Sequence, residues 1–119
     1  MRHEYRQIIE HIFQRFFIVA DMITFRFRDF GEHLGTRQLG EKVREQLWPL
    51  LQGEEKVCLD FEGVDVVSNS FADECLAKLL LSMSLDELKQ HTTFSHLNDF
   101  ARKNIALALK RRMQVAAVA

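Results

Sequence analysis

Lys56-Val57-Cys58-Leu59-Asp60-Phe61 is followed, after the loop Glu62–Asn69, by Ser70-Phe71-Ala72-Asp73-Glu74-Cys75-Leu76-Ala77-Lys78-Leu79-Leu80-Leu81-Ser82-Met83. The first run is short and almost wholly apolar until Asp60, the pattern of a strand buried on both faces. In the second, Phe71, Cys75, Leu76, Leu79, Leu80 and Met83 share one side at helical spacing, which predicts a helix over 70–83. Ser70 followed three positions later by Asp73 has the form of a capping box, with Ser70 as N-cap. A buried strand feeding a helix across a short loop is half of a β-α-β unit, and the rest of the chain is read outward from it.

Upstream, Ile23, Phe25 and Phe27 alternate with Thr24, Arg26 and Arg28, a strand with one buried and one wet face. Phe30–Gly35 reads as loop. Thr36 is placed to cap a helix carrying Leu39, Val43 and Leu47, which Pro49 is expected to end or kink near Trp48. Downstream, Ser84-Leu85-Asp86-Glu87 repeats a helix-start signal, Thr92–Ser95 is a weak strand, and Asn98 is placed to cap a last helix to about Met113. The resulting β-α-β-α-β-α order implies a mainly parallel mixed sheet packed with helices, an α/β domain. In such sheets functional groups gather beyond the carboxyl ends of the strands, which directs attention to Asp60 through Ser70.

Composition sets the remaining bounds. The chain has 119 residues, 47% of them hydrophobic and 28% charged, which fits one domain with one core. A net charge of −1 argues against a general nucleic-acid binder. Arg102, Lys103, Lys110, Arg111 and Arg112 make the last helix basic, which reads as cations opposing the negative end of its dipole. Glu10, His11, Gln14 and Arg15 interrupt the apolar residues near the N-terminus, unlike a secretory signal, and the apolar runs are too short to cross a bilayer, so a cytoplasmic protein with no membrane partner is expected. Cys58 and Cys75 read as small buried hydrophobes in a reducing compartment, with Cys58 buried and unpaired. The five histidines and five glycines form no metal spacing, no GxGxxG and no phosphate-binding loop, and Gly-x-Ser-x-Gly is absent. Asp60, Glu62, Asp65, Asp73 and Glu74 concentrate near one predicted edge, where capping and solvation account for them more simply than a metal. No enzyme, metal or cofactor is therefore expected.

Gly35-Thr36-Arg37, Leu59-Asp60-Phe61-Glu62-Gly63-Val64 and Ser68-Asn69-Ser70-Phe71-Ala72-Asp73-Glu74 together resemble the STAS-like family of bacterial domains, in which an Asp-Phe strand end is paired with a Ser-Phe-Ala-Asp-Glu helix start. The resemblance covers roughly residues 22–113, leaving 1–21 as an N-terminal extension and 114–119 as a frayed tail. It implies a single STAS-like domain similar to the anti-sigma-factor antagonists. Those open the corresponding helix with Asp-Ser-Ser-Gly, whose first Ser accepts phosphate from a partner kinase. Here the aligned motif Asp is Ser68, the acceptor position is Asn69, the second Ser is retained as Ser70, and the Gly is Phe71. The acceptor hydroxyl is missing at the aligned place, so Ser70 and Ser68 are the displaced candidates for phosphorylation. The resemblance further implies a non-catalytic regulatory module whose partner is a protein, a GHKL-type ATPase/kinase or another regulator, contacted through Asp60, Ser68, Asn69, Ser70, Asp73 and Glu74. The alternatives are a small-ligand sensor, binding a nucleotide or metabolite at the same edge, and a hydrolase using the acidic residues.

Residues 5–17 carry Ile8, Ile9, Ile12, Phe13, Phe16 and Phe17 as a helical stripe, although 16–20 also suits a short strand. A stripe of that length is expected to pack on the domain or on a second copy of it. Truncation at Asp21 should then lower the melting temperature or the sedimentation coefficient; if both stay unchanged, the segment is a dispensable tail.

Overall fold

The computed structural model describes residues 22–118, with side chains through Val115; the stripe at 5–17 lies outside the described residues. Five strands and four α-helices follow one another: β1 (Ile23–Arg26), β2 (His33–Leu34), α1 (Arg37–Leu51), β3 (Val57–Asp60), β4 (Val66–Val67), α2 (Asn69–Cys75), α3 (Leu85–His91), β5 (Thr92–Ser95) and α4 (Asp99–Val118). The expected central strand is central: the main sheet has the order β1-β3-β5, and both pairings are parallel. Ile23, Val57 and Thr92 stand in one row, and Phe25, Leu59 and Phe94 in the next row on the same face.

Several local signals act as the sequence predicts. The Thr36 hydroxyl accepts the Leu39 N–H at the start of α1, and Asn98 Oδ1 accepts the Ala101 N–H at the start of α4. Ser84 and Glu87 complete a reciprocal capping box on α3.

Other expectations are corrected. Residues 27–30 leave the strand as a 3-10 turn, and that turn sends the Phe27 ring into the core. Inside the segment read as loop, His33–Leu34 forms β2 and pairs with β4 as a second, two-stranded parallel sheet. Pro49 does not stop α1, which runs to Leu51, because only one turn remains and the missing N–H costs one bond there. The helix expected over 70–83 breaks: α2 ends at Cys75 and a 3-10 turn covers Ala77–Leu81. Its N-cap is Ser68, whose Oγ accepts the Phe71 N–H, so Ser70 lies inside the helix and not at its cap. Helix α4 continues past Met113 to Val118. Cys58 is half-buried and not fully buried, with Sγ 3.4 Å from Ser95 Oγ; Cys75 is fully buried, and both thiols are free.

The core is aromatic in its centre. Phe27 and Phe61 stack with centroids 4.0 Å apart, and the edges of Phe25 and Phe71 meet the Phe27 ring. Phe27, Phe61 and Phe71 are each at most 1% exposed. Their position beneath the end of β3 and the start of α2 fixes how the candidate edge is presented.

Helices α1 and α2 cross at Gly40. A Cβ there would stand 2.9 Å from Glu74 Cβ and 3.2 Å from the Phe71 carbonyl oxygen, neither of which can swing aside. Gly40→Ala should therefore destabilise the domain by about 1–3 kcal/mol in urea unfolding, despite alanine's better helix propensity. Gly35→Ala, with nothing within 4 Å, should stay within about 0.5 kcal/mol of wild type. Equal effects at the two glycines would mean that the crossing is not close.

Candidate functional site

The residues that the sequence grouped at one edge occupy two separate settings. Asp60 ends β3, and a single oxygen of it, Oδ1, collects three donors: the Glu62 N–H at 3.0 Å, the Ser95 hydroxyl at 3.2 Å and His96 Nδ1 at 2.9 Å. The Glu62 N–H is the strongest influence holding this carboxyl below the ordinary aspartate value; burial opposes it, and the His96 and Ser95 hydrogen bonds reinforce it. His96 follows β5 with a left-handed backbone (φ 58°), which ends the strand and leaves the ring beside Asp60. Ligand-type atoms of Asp60, Glu62 and His96 lie within 4.8 Å of one another, with Glu62 and His96 exposed. Sequence spacing gives no hint of this group, because His96 reaches Asp60 only through the pairing of β3 with β5.

Asp73 and Glu74 lie instead among basic side chains, Arg37, Arg44, Lys78 and Arg112. Glu74 is 5% exposed, and its carboxylate receives Arg44 and Lys78 at 2.9 Å each and Arg37 at 3.4 Å. Arg44 also donates to the Glu74 backbone carbonyl. Burial pushes the Glu74 carboxyl upward, yet Arg44 and Lys78 together hold it below its usual value. Asp73 accepts a two-pronged interaction from Arg112, Nε and Nη2 at 2.8 Å each, and a third from Arg37 at 2.9 Å. Arg112 thus belongs to a salt-bridge network joining α1, α2 and α4, and is not a last-turn cation opposing the dipole, since α4 runs on to Val118.

Between these two settings lies the start of α2. The Ser68 hydroxyl is used twice, donating to the Gly35 carbonyl and accepting from Phe71 N–H, so it ties α2 to the loop before α1. Asn69 is exposed and Ser70 half-buried, and both line a cleft of about 380 Å³ shared with Arg37, Asp73, Arg111 and Arg112. Of the six residues proposed from sequence, Asn69, Ser70 and Asp73 meet here. Ser68 and Glu74 support them from below, and Asp60 stands apart with His96. The arginines were missed as site residues because Arg37 and Arg112 are far from Asp73 in the chain and converge only through helix packing.

The Arg112 hydrogen bond is the main reason that Asp73 titrates at about 2 against an ordinary 3.8; burial works against it, and Arg37 adds to it. A carboxyl depressed in the folded state stabilises the fold above its unfolded value near 4 and loses that contribution as pH falls towards 2. Asp73→Asn should therefore be less stable than wild type at pH 7, with the two melting temperatures converging between pH 4 and pH 2. A gap that stays constant over that range would show that the loss at pH 7 is not electrostatic.

Among the described residues no helix is long and apolar enough to cross a membrane. Comparison with curated proteins and with solved structures returned no match. The family model of a STAS-like domain of unknown function (DUF4325) matches residues 40–100, from the Gly40 crossing through α2 and β5 to the start of α4. That match spans just over half of the chain and includes the β3–α2 unit on which both settings are built, and the chain belongs to this STAS-like family.

Proposed function

We propose that this domain is a non-catalytic regulatory module that binds a protein partner through the start of α2. The observation that carries the reading is how that start is held. Phe71, Ala72 and Cys75 are fully buried on one side of α2, while Asn69 on the other side is exposed. Ser68 locks the approach to the helix on both sides. A surface element whose backbone is fixed by the core loses little conformational freedom on binding, which favours recognition. The similarity to anti-sigma-factor antagonists makes a GHKL-type ATPase/kinase, or another regulator, the partner class to test first.

A hydrolase with Asp60 as general base has less support. Its pKa is depressed, and the one oxygen facing His96 already accepts three hydrogen bonds, so it is a weak proton acceptor near neutral pH.

Affinity capture of the full chain from its native host, followed by titration of the purified partner, tests the reading. Asn69→Asp adds a charge at the exposed first position of α2 without touching the core. It should change partner affinity by about tenfold or more, equivalent to about 1.4 kcal/mol, while the melting temperature moves little. A stable variant with unchanged affinity moves the binding surface elsewhere.

A further inference from the structure

The cleft beside α2 has a charge balance that binding a protein partner does not explain. Arg37, Arg111 and Arg112 line it against one carboxylate, Asp73, with Ser70 on the wall and Val115 at one side. Asp73 is committed to Arg112 and Arg37. Arg111, exposed one position before Arg112, makes no ion pair among the described residues. Three guanidinium groups and one carboxylate leave the lining with two positive charges in excess. Each guanidinium is a planar fork of five donors, and the contacts to Asp73 use only some of them. Glu74, buried below the cleft, also meets Arg37 at 3.4 Å, but Arg44 and Lys78 at 2.9 Å each already answer its charge, so the excess is kept when it is counted.

We propose that this cleft binds a phosphate monoester. Such a group carries about −1.5 to −2 charges near neutral pH and three acceptor oxygens, which matches the excess charge and the donor forks. A carboxylate would compensate only half of it. Ala108 and Val115 supply an apolar wall for the carbon body of the ester. At about 380 Å³ the cleft lies within the range of small-molecule sites. The same group has two sources, a diffusible compound or a phosphate carried on Ser70 itself. The inference does not depend on a protein partner, and its test contains none.

Phenyl phosphate, inorganic phosphate and phenol are titrated calorimetrically into the full chain at low salt. Phenyl phosphate should bind at least about ten times more tightly than phenol, and Arg111→Ala should weaken it about tenfold or more. Lys103→Ala removes the same charge from an exposed site of α4 outside the cleft and should change affinity less than about twofold. Arg111 is outside the Asp73 network, so its variant should keep the wild-type melting temperature. Phosphopeptide mapping of the chain from its native host separates the sources. Phosphate on Ser70, with phenyl phosphate silent and a phosphorus NMR titration that shifts in Arg111→Ala, assigns the cleft to the chain's own ester. Equal losses in the Lys103 and Arg111 variants overturn the proposal, and so does absence of both phenyl phosphate binding and Ser70 phosphate.

Discussion

The contact on which the rest of the molecule turns is the crossing of α1 over α2 at Gly40 and Glu74. With no side chain at Gly40, the two helices approach until a methyl group would collide with Glu74 Cβ and with the α2 backbone. That closeness buries the Glu74 carboxylate, an arrangement that is unfavourable unless the charge is answered. Arg44 on α1 and Lys78 beyond α2 answer it. Both cations keep part of their surface in water while the carboxylate between them is buried, so the close crossing depends on these ion pairs to hold Glu74 charged. Asp73, one residue earlier on α2, is then directed to Arg37 and Arg112, which draws α4 against the same helix. The cleft is the space left where these three helices meet.

What was legible in the sequence was what short spacing decides. β3 is a short run, apolar up to Asp60, with Val57 and Leu59 buried on one face, and the caps at Thr36, Ser84 and Asn98 are contacts between residues three apart. The resemblance was legible for the same reason, since Ser68–Glu74 is a continuous stretch. What failed depends on residues distant in the chain. β2 and β4 are two residues each, too short to show a period, and exist because their backbones pair with each other. The 3-10 turn at Phe27 places its ring in a stack on Phe61, 34 positions further along, which no local pattern announces. Helix α2 stops at Cys75 although the apolar spacing carries on to Met83, and the 3-10 turn that follows, narrower and more drawn out than an α-helix, still keeps Ala77 and Leu79 buried.

The same division runs through the site. The start of α2 was found from its residues, but its neighbours were not. Arg112 read as a cation near a helix end because the helix was expected to stop near Met113; with α4 extending to Val118 it lies well inside the helix and serves Asp73. His96 showed no metal or nucleophile spacing because its partner, Asp60, is on another strand, and only the β3–β5 register brings them to 2.9 Å.

Asp60 and Asp73 are the same residue type, flank the same loop and helix start, and are both held below their ordinary value, but by opposite kinds of neighbour. At Asp60 the leading influence is one backbone N–H, which supplies no net charge, with the exposed His96 and Glu62 beside it. At Asp73 it is a guanidinium, with a second behind it, so the negative charge there is more than cancelled. The two ends of the β3–α2 unit therefore hold their aspartates by different means, a backbone N–H with Ser95 and His96 at one and Arg112 with Arg37 at the other, separated by the uncharged Ser68-Asn69-Ser70.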